Sequence, residues 1–241
     1  MTIVVEAAAR THVGLVRKRN EDCLYAGRSL FAVADGLGGH VSGDTASATV
    51  IETLEPYDRQ FVPEDLPDVL GRMVSVANTA LRRQIETAPE LAGMATTLVA
   101  MLRSGTTAVV ANVGDSRAYL LRGSRDRASR LNQITEDHIY GNLVAAAGNV
   151  PNLPARLSRF LDGRIDGRSP DLTACDLRPE DRFLLCSDGL SAVVPIELIH
   201  EAMRAPTGPE ETADRLITLA NDRGGPDNIS VIVIDVRAKP I

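Results

Sequence analysis

Four aspartates stand at the ends of short apolar runs: Asp35 after LFAVA, Asp115 after VVANVG, Asp188 after FLLCS, and Asp227 before NISVIV. Each has Gly, Ser or Asn beside it, residues that let the backbone turn tightly and come close to whatever the acid holds. Taken singly, such an acid reads as a turn residue, because Asp-Gly is a strong hairpin signal. Strand ends of one domain can converge, however, and two carboxylates about 4 Å apart repel by roughly 4 kcal/mol at an effective dielectric of 20. A converging set therefore needs shared protons or a cation. The sequence offers no His-x-x-x-His pair and no paired cysteines. The available ligands are oxygens, the backbone carbonyl of Gly36 among them, and these suit Mg²⁺ or Mn²⁺ better than Zn²⁺. Two such ions about 3.5 to 4 Å apart can share a water, depress its pKa and set it in line with a phosphorus atom. The chemistry indicated is hydrolysis of a phosphoester.

Such a centre calls for an anion clamp. The stretch GLVRKRNED places Arg17, Lys18 and Arg19 immediately before Glu21 and Asp22. Arginine fits the task because its planar fork meets two phosphate oxygens at once, although spacing alone does not choose among the three, and a solvated surface run is the bland alternative. Other phosphate and hydrolase motifs fail. Gly38 to Thr45 approaches a P-loop but has Asp44 where lysine is needed; GDSRA and LCSDG each lack a glycine of G-x-S-x-G. His12, His138 and His200 are scattered, and no chemistry is assigned to them.

The elements that must position these residues are legible in outline. Leu30 to Ala34, Thr107 to Val113, Phe183 to Cys186 and Ile229 to Val236 read as buried strands. Asp65 to Glu86 and Pro209 to Arg223 carry apolar residues at three- and four-residue steps, as helices packed on a flat surface do; Thr45 to Leu54 and Glu136 to Ala147 are shorter helical candidates. Ala108 to Val113 and Ala118 to Leu121 read as a hairpin across GDSR. Antiparallel sheets covered by helices make the class α+β. No repeat or linker divides the 241 residues, so one domain over 1–241 is expected, with a flap at about 141–170 in the stretch rich in Gly, Pro and Arg.

Composition narrows the partners. A hydrophobic fraction of 44% fills a core, while 3% aromatics and a net charge of -6 disfavour nucleic acid. Cys23, Cys175 and Cys186 form no C-x-x-C pair, which suits a reducing cytoplasm. Neither a signal-type h-region nor eighteen consecutive apolar residues occurs, and a monomer without a membrane segment is expected.

The blocks GLVRKRNED, FAVADGLGGHVSGDTAS, MATTLVA, ANVGDSRAYLLR, LNQITEDH, FLLCSDGLS and GGPDNISVIV, in this order, resemble the bacterial metal-dependent protein serine/threonine phosphatases, the PPM or type 2C family. The resemblance runs from about Thr11 to Val236. It implies a four-layer α/β/β/α sandwich with two central antiparallel sheets, and hydrolysis of phosphoserine and phosphothreonine by a water bridging two Mn²⁺ or Mg²⁺ ions. It also implies phosphorylated proteins as partners, with a serine/threonine kinase acting on the same targets. By that likeness Asp35 bridges both ions and Gly36 gives its carbonyl. Asp188 and Asp227 bind one ion, and Asp22 acts on the second through water. Arg17 binds phosphate. Asp115, sharing Asp188, matches a third metal site of bacterial members. His40 matches the bacterial pattern as either a proton donor to the leaving alkoxide or a brace for the loop. Leu37 stands where eukaryotic relatives have histidine, Asp44 where Glu is common, Ala95 where Gly is usual and Ile139 where Ser is usual. The alternatives are a catalytically silent phosphoprotein-binding domain of the same fold, whose sign would be a missing core aspartate, and a two-metal nuclease, which the acidic balance opposes.

Overall fold

The computed structural model describes residues 3–37, 42–123, 129–140, 157–165 and 169–239. Its central strands bury both faces, which is why they read as continuous apolar runs rather than as alternation. In β3 (Leu30–Leu37) the period of two sends Leu30, Ala32 and Ala34 into one core and Phe31 and Val33 into another. In β11 (Ile229–Ala238), Ile229, Val231 and Val233 likewise face away from Ile232, Ile234 and Val236.

Two antiparallel sheets result. One runs β1 (Ile3–His12), β11, β10 (Arg182–Cys186), β7 (Arg117–Leu121), β8 (Leu131–Gln133). The other runs β2 (Asp22–Ala26), β3, β5 (Leu98–Ser104), β6 (Thr107–Val113), β9 (Asp171–Asp176), with the short β4 (Ala95–Thr96) paired to β3. The core between the sheets is made of residues such as Phe31, Met101, Phe183 and Ile232.

Helices close the outer faces. α1 (Gly43–Leu54) and α2 (Leu66–Thr87) cover the β3 sheet through Val50, Leu70, Met73 and Leu81. A short α3 (Asp188–Ser191), α4 (Ile196–Arg204) and α5 (Pro209–Asn221) cover the β11 sheet through Leu190, Ile199, Met203 and Leu216. The order helix, sheet, sheet, helix is the sandwich that the resemblance implies, within the α+β class that the strand pattern gives. The second helical layer is tied down by Arg182, which is fully buried. It donates to Asp235 at 2.5 and 2.8 Å, to the carbonyls of Met203 and Thr207, and to Thr212 Oγ1. With these partners a buried guanidinium is tolerable.

Along α2 the apolar face takes in Val74, while Val76 is 44% exposed. Two expectations need correction. The GDSR turn does not close a hairpin: β6 and β7 belong to different sheets. Gly114, at φ +119, carries the chain from one to the other, a conformation that side chains resist. Glu136 to His138 are not helical, because the His138 N–H bonds to the Gly114 carbonyl and its ring Nδ1 accepts from the Gly114 N–H. Residues 141–147 lie outside the described residues, as does most of the expected flap at 141–170. Within that stretch Leu161 is buried and bridges Thr96, and Leu157 bridges Ile139. No helix among the described residues is long and apolar enough to cross a membrane.

Candidate metal centre

Strand direction alone brings the acids together. β3 and β6 both run antiparallel to β5 between them, so Asp35 near the end of β3 and Asp115 just past β6 reach the same end of their sheet. β10 and β11 are antiparallel neighbours, so Asp188 just after one and Asp227 just before the other meet at one end as well. Asp22 opens β2 directly opposite Asp35 in register. The two sheets are joined behind this end by Ser187, whose hydroxyl donates to Asp22 Oδ2 at 2.8 Å and accepts from the Ser230 N–H at 3.0 Å.

Asp35, Asp115, Asp188 and Asp227 all line a cavity of about 440 Å³, together with Gly36, Arg17 and Glu21. Charges concentrated in this way are costly. Burial, then the neighbouring Asp22, Asp188, Asp115 and Asp227, hold Asp35 well above the usual carboxylate range. Burial pushes Asp22 up to about 6, against hydrogen bonds from Ser230 and Ser187 that favour its ionised form. Asp115 is pushed up to about 6 by burial and by Asp188. Asp188 is raised by burial and by Asp227, against a smaller lowering influence of Asp35 and Arg17. Glu21 is raised by burial and then by Asp44. The metal-free site thus holds protons near neutrality that isolated carboxylates would have lost.

Whether these residues suit divalent cations can be judged from three features. The donors are hard oxygens. Asp22 Oδ1 is buried with no hydrogen-bond partner among the described residues, an acceptor still to be satisfied. A Cβ at position 36 would run into the Gly43 carbonyl and the Glu21 carbonyl, so only glycine lets the β3 backbone lie this close to the start of α1 while lining the cavity. The set fits. Among the described residues no three His, Cys, Asp or Glu side chains form a ready-made ion cage; Asp35, Asp115, Asp188 and Asp227 are brought together as lining of the cavity.

Arg17 Nη2 donates to Asp227 Oδ2 at 2.7 Å, with about half of the Arg17 side chain exposed. A pair this wet is worth about 0–1 kcal/mol, so the guanidinium is readily given up to another anion. His40 lies outside the described residues.

Several positioning residues escape a reading of sequence alone. Asp35 is fixed by its N–H to Thr97 Oγ1 at 3.1 Å, and its carbonyl accepts from the Thr97 N–H and the Thr96 hydroxyl. The Asn228 side chain accepts from the Glu21 N–H and donates to the Val13 and Arg19 carbonyls, while its own N–H donates to Asp227 Oδ1. It thereby clips the arginine loop to the β11 acid. His138 bridges the Gly114 turn to Asp171, at 2.9 Å. Their signal was present, since these residues lie in or beside the MATTLVA, GGPDNISVIV and LNQITEDH blocks, but hydrogen-bond partners this distant in sequence have no period to betray them.

Comparison with known proteins agrees with this geometry. The sequence model of protein phosphatase 2C matches residues 18–226. The serine/threonine protein phosphatase PstP of Mycobacterium tuberculosis is 42% identical over 98% of the chain. The chain spans about half of that relative, 46% of its length. The serine/threonine phosphatase stp of Listeria monocytogenes is 32% identical, with 96% of each chain covered. A crystal structure described as the catalytic domain of PstP in complex with two manganese ions superposes with a TM-score of 0.88 at 43% identity, covering 98% of this chain and 100% of that one. The chain belongs to the protein phosphatase 2C family.

Proposed function

We propose that this chain hydrolyses phosphoserine and phosphothreonine monoesters of proteins, with two divalent cations, Mn²⁺ or Mg²⁺, as its cofactor. The observation that carries the reading is the convergence of Asp35, Asp188 and Asp227 on one cavity with Arg17 beside them. The manganese ions of the PstP catalytic domain support the choice of cofactor. When bound, the cations would balance the clustered negative charge and acidify a water shared between them.

The chain's own residues do the rest. Asp35, Asp188, Asp227 and the Gly36 carbonyl would hold the pair, with Asp22 acting from behind Asp35 through water. Asp115, electrostatically coupled to Asp188, would serve a third ion. Arg17 leaves Asp227 and presents its fork to two phosphate oxygens, which orients phosphorus and offsets charge as the P–O bond to the serine or threonine oxygen breaks. Water supplies the new oxygen on phosphorus, and the departing alkoxide takes up a proton to leave as the hydroxyl. The silent-domain alternative lacks its mark, since every core aspartate is in place.

The test is hydrolysis of p-nitrophenyl phosphate and a phosphothreonine peptide with Mn²⁺, before and after complete chelation. Turnover that requires added metal is expected; turnover unaffected by chelation contradicts the proposal.

A further inference from the structure

The five residues Leu15 to Arg19 form an exposed ridge, and Arg17 at its middle lines the cavity. Leu15 is 64% and Val16 67% exposed, immediately before the arginine that lines the cavity. They are not loose. The Leu15 N–H bonds to the Gly225 carbonyl at 2.7 Å, and Asn228 holds the Val13 and Arg19 carbonyls on either side. The backbone is thus anchored to the loop that bears Asp227, while the two apolar side chains face solvent. Such preorganisation removes the ordering cost a partner would otherwise meet.

The chemistry of the ridge is mixed in a specific way. Lys18 and Arg19 follow Arg17, are exposed, and form no ion pair with any described residue. The protein as a whole carries a net charge of -6, so an acidic ligand is repelled by most of its surface and attracted here. Leu157 and Phe160 also line the cavity.

We propose that Leu15 and Val16 dock the polypeptide on one side of the phosphorylated residue, with Lys18 and Arg19 toward its other side, so that preferred substrates carry a bulky apolar residue on one side of the phosphoamino acid and acidic residues on the other. This rests on the phosphatase reading and narrows its substrate class. The spacing agrees: Val16 and Leu15 lie one and two residues from Arg17, roughly 4 to 7 Å along the chain, and an extended peptide advances about 3.3 to 3.6 Å per residue. A peptide whose phosphate meets Arg17 therefore sets its residues one to three positions away against the ridge.

The experiment compares kcat/KM for p-nitrophenyl phosphate and two phosphothreonine peptides of equal length, one with Leu and Val on one side of the phosphothreonine and Glu on the other, the second with Gly and Ser on one side and Lys on the other. Wild type with Mn²⁺ should prefer the apolar, acidic peptide. Leu15→Ser with Val16→Ser should lower kcat/KM for that peptide roughly tenfold, mainly through KM, as expected for two partly covered aliphatic side chains. The same double variant should leave p-nitrophenyl phosphate within about twofold, because that ester is too small to reach the ridge. Leu15→Ile with Val16→Ile should retain the preference. Lys18→Glu with Arg19→Glu should weaken binding of the acidic peptide and flatten its salt dependence. Equal use of both peptides by wild type, or a preference that survives the serine pair, overturns the proposal. So does a change in sedimentation of the serine pair without a change in peptide turnover, which would make the ridge a self-association surface. No turnover of any substrate with Mn²⁺ present would instead refute the phosphatase reading, and the docking proposal with it.

Discussion

Replacing Asp22 by Asn should make the metal-free protein more stable at neutral pH, although it removes a residue of the candidate centre. Asp22 faces Asp35 across the β2–β3 pair, and burial holds its pKa at about 6. Against an unfolded value of about 3.9, two units at roughly 1.4 kcal/mol each make the ionised side chain cost about 3 kcal/mol at pH 7.5. Between pH 4 and 6 the folded chain keeps a proton that the unfolded chain has lost, so stability falls as pH rises through that window. Asparagine cannot ionise and still accepts from the Ser187 hydroxyl. Its amide must occupy the side of the carboxyl that has no partner among the described residues, a penalty of about 1 kcal/mol. The net gain is about 2 kcal/mol, a rise in Tm of roughly 4 to 8 °C for a chain of this size. Scanning calorimetry in EDTA at pH 7.5 should record it, and at pH 4.5, where wild-type Asp22 is protonated, the difference should vanish. Adding Mn²⁺ at pH 7.5 should reverse the order, because wild type gains about 2.7 kcal/mol at a hundredfold excess over Kd and the variant less. A variant less stable than wild type in EDTA at pH 7.5, or a gain that does not depend on pH, would refute the reasoning.

Asp35→Asn should lower kcat at least about a thousandfold, because it removes charge at the centre of the cluster; steady-state assays with saturating Mn²⁺ check this. Arg17→Ala should raise KM for p-nitrophenyl phosphate about tenfold and change kcat only a few-fold, since the guanidinium meets substrate rather than the ions. Arg182→Met should cost about 3 to 5 kcal/mol in urea unfolding by removing the bidentate, buried cation that Asp235 accepts from. Adding Asp235→Leu should recover most of that loss, with the activity of the folded fraction unchanged throughout.

The acids were legible in the sequence because each interrupts an apolar run, and antiparallel pairing of β10 with β11 then brings Asp188 and Asp227 to one end with little further information. Asp22 was harder, because β2 is only half buried and DCLYA carries no strong period. Its importance follows from register with Asp35, which depends on partners far along the chain. The error at GDSR is instructive. Two apolar strands around a tight turn favour a hairpin locally, but both strands are buried on both faces, and only separate sheets supply that much covering surface. The burial of Arg182 has no sequence signal, since nothing nearby announces Asp235, Thr207 and Thr212 as its partners. The ring of His138, assigned no chemistry from sequence, gained its meaning from Gly114, 24 residues away.

The central claim is that acids from distant strands share divalent cations. Anomalous diffraction at the manganese edge from Mn²⁺-soaked crystals of the active wild-type protein addresses it directly. Two strong peaks in contact with Asp35, the Gly36 carbonyl, Asp188 and Asp227 are predicted; manganese bound elsewhere, with this cavity free of anomalous signal, would contradict the account.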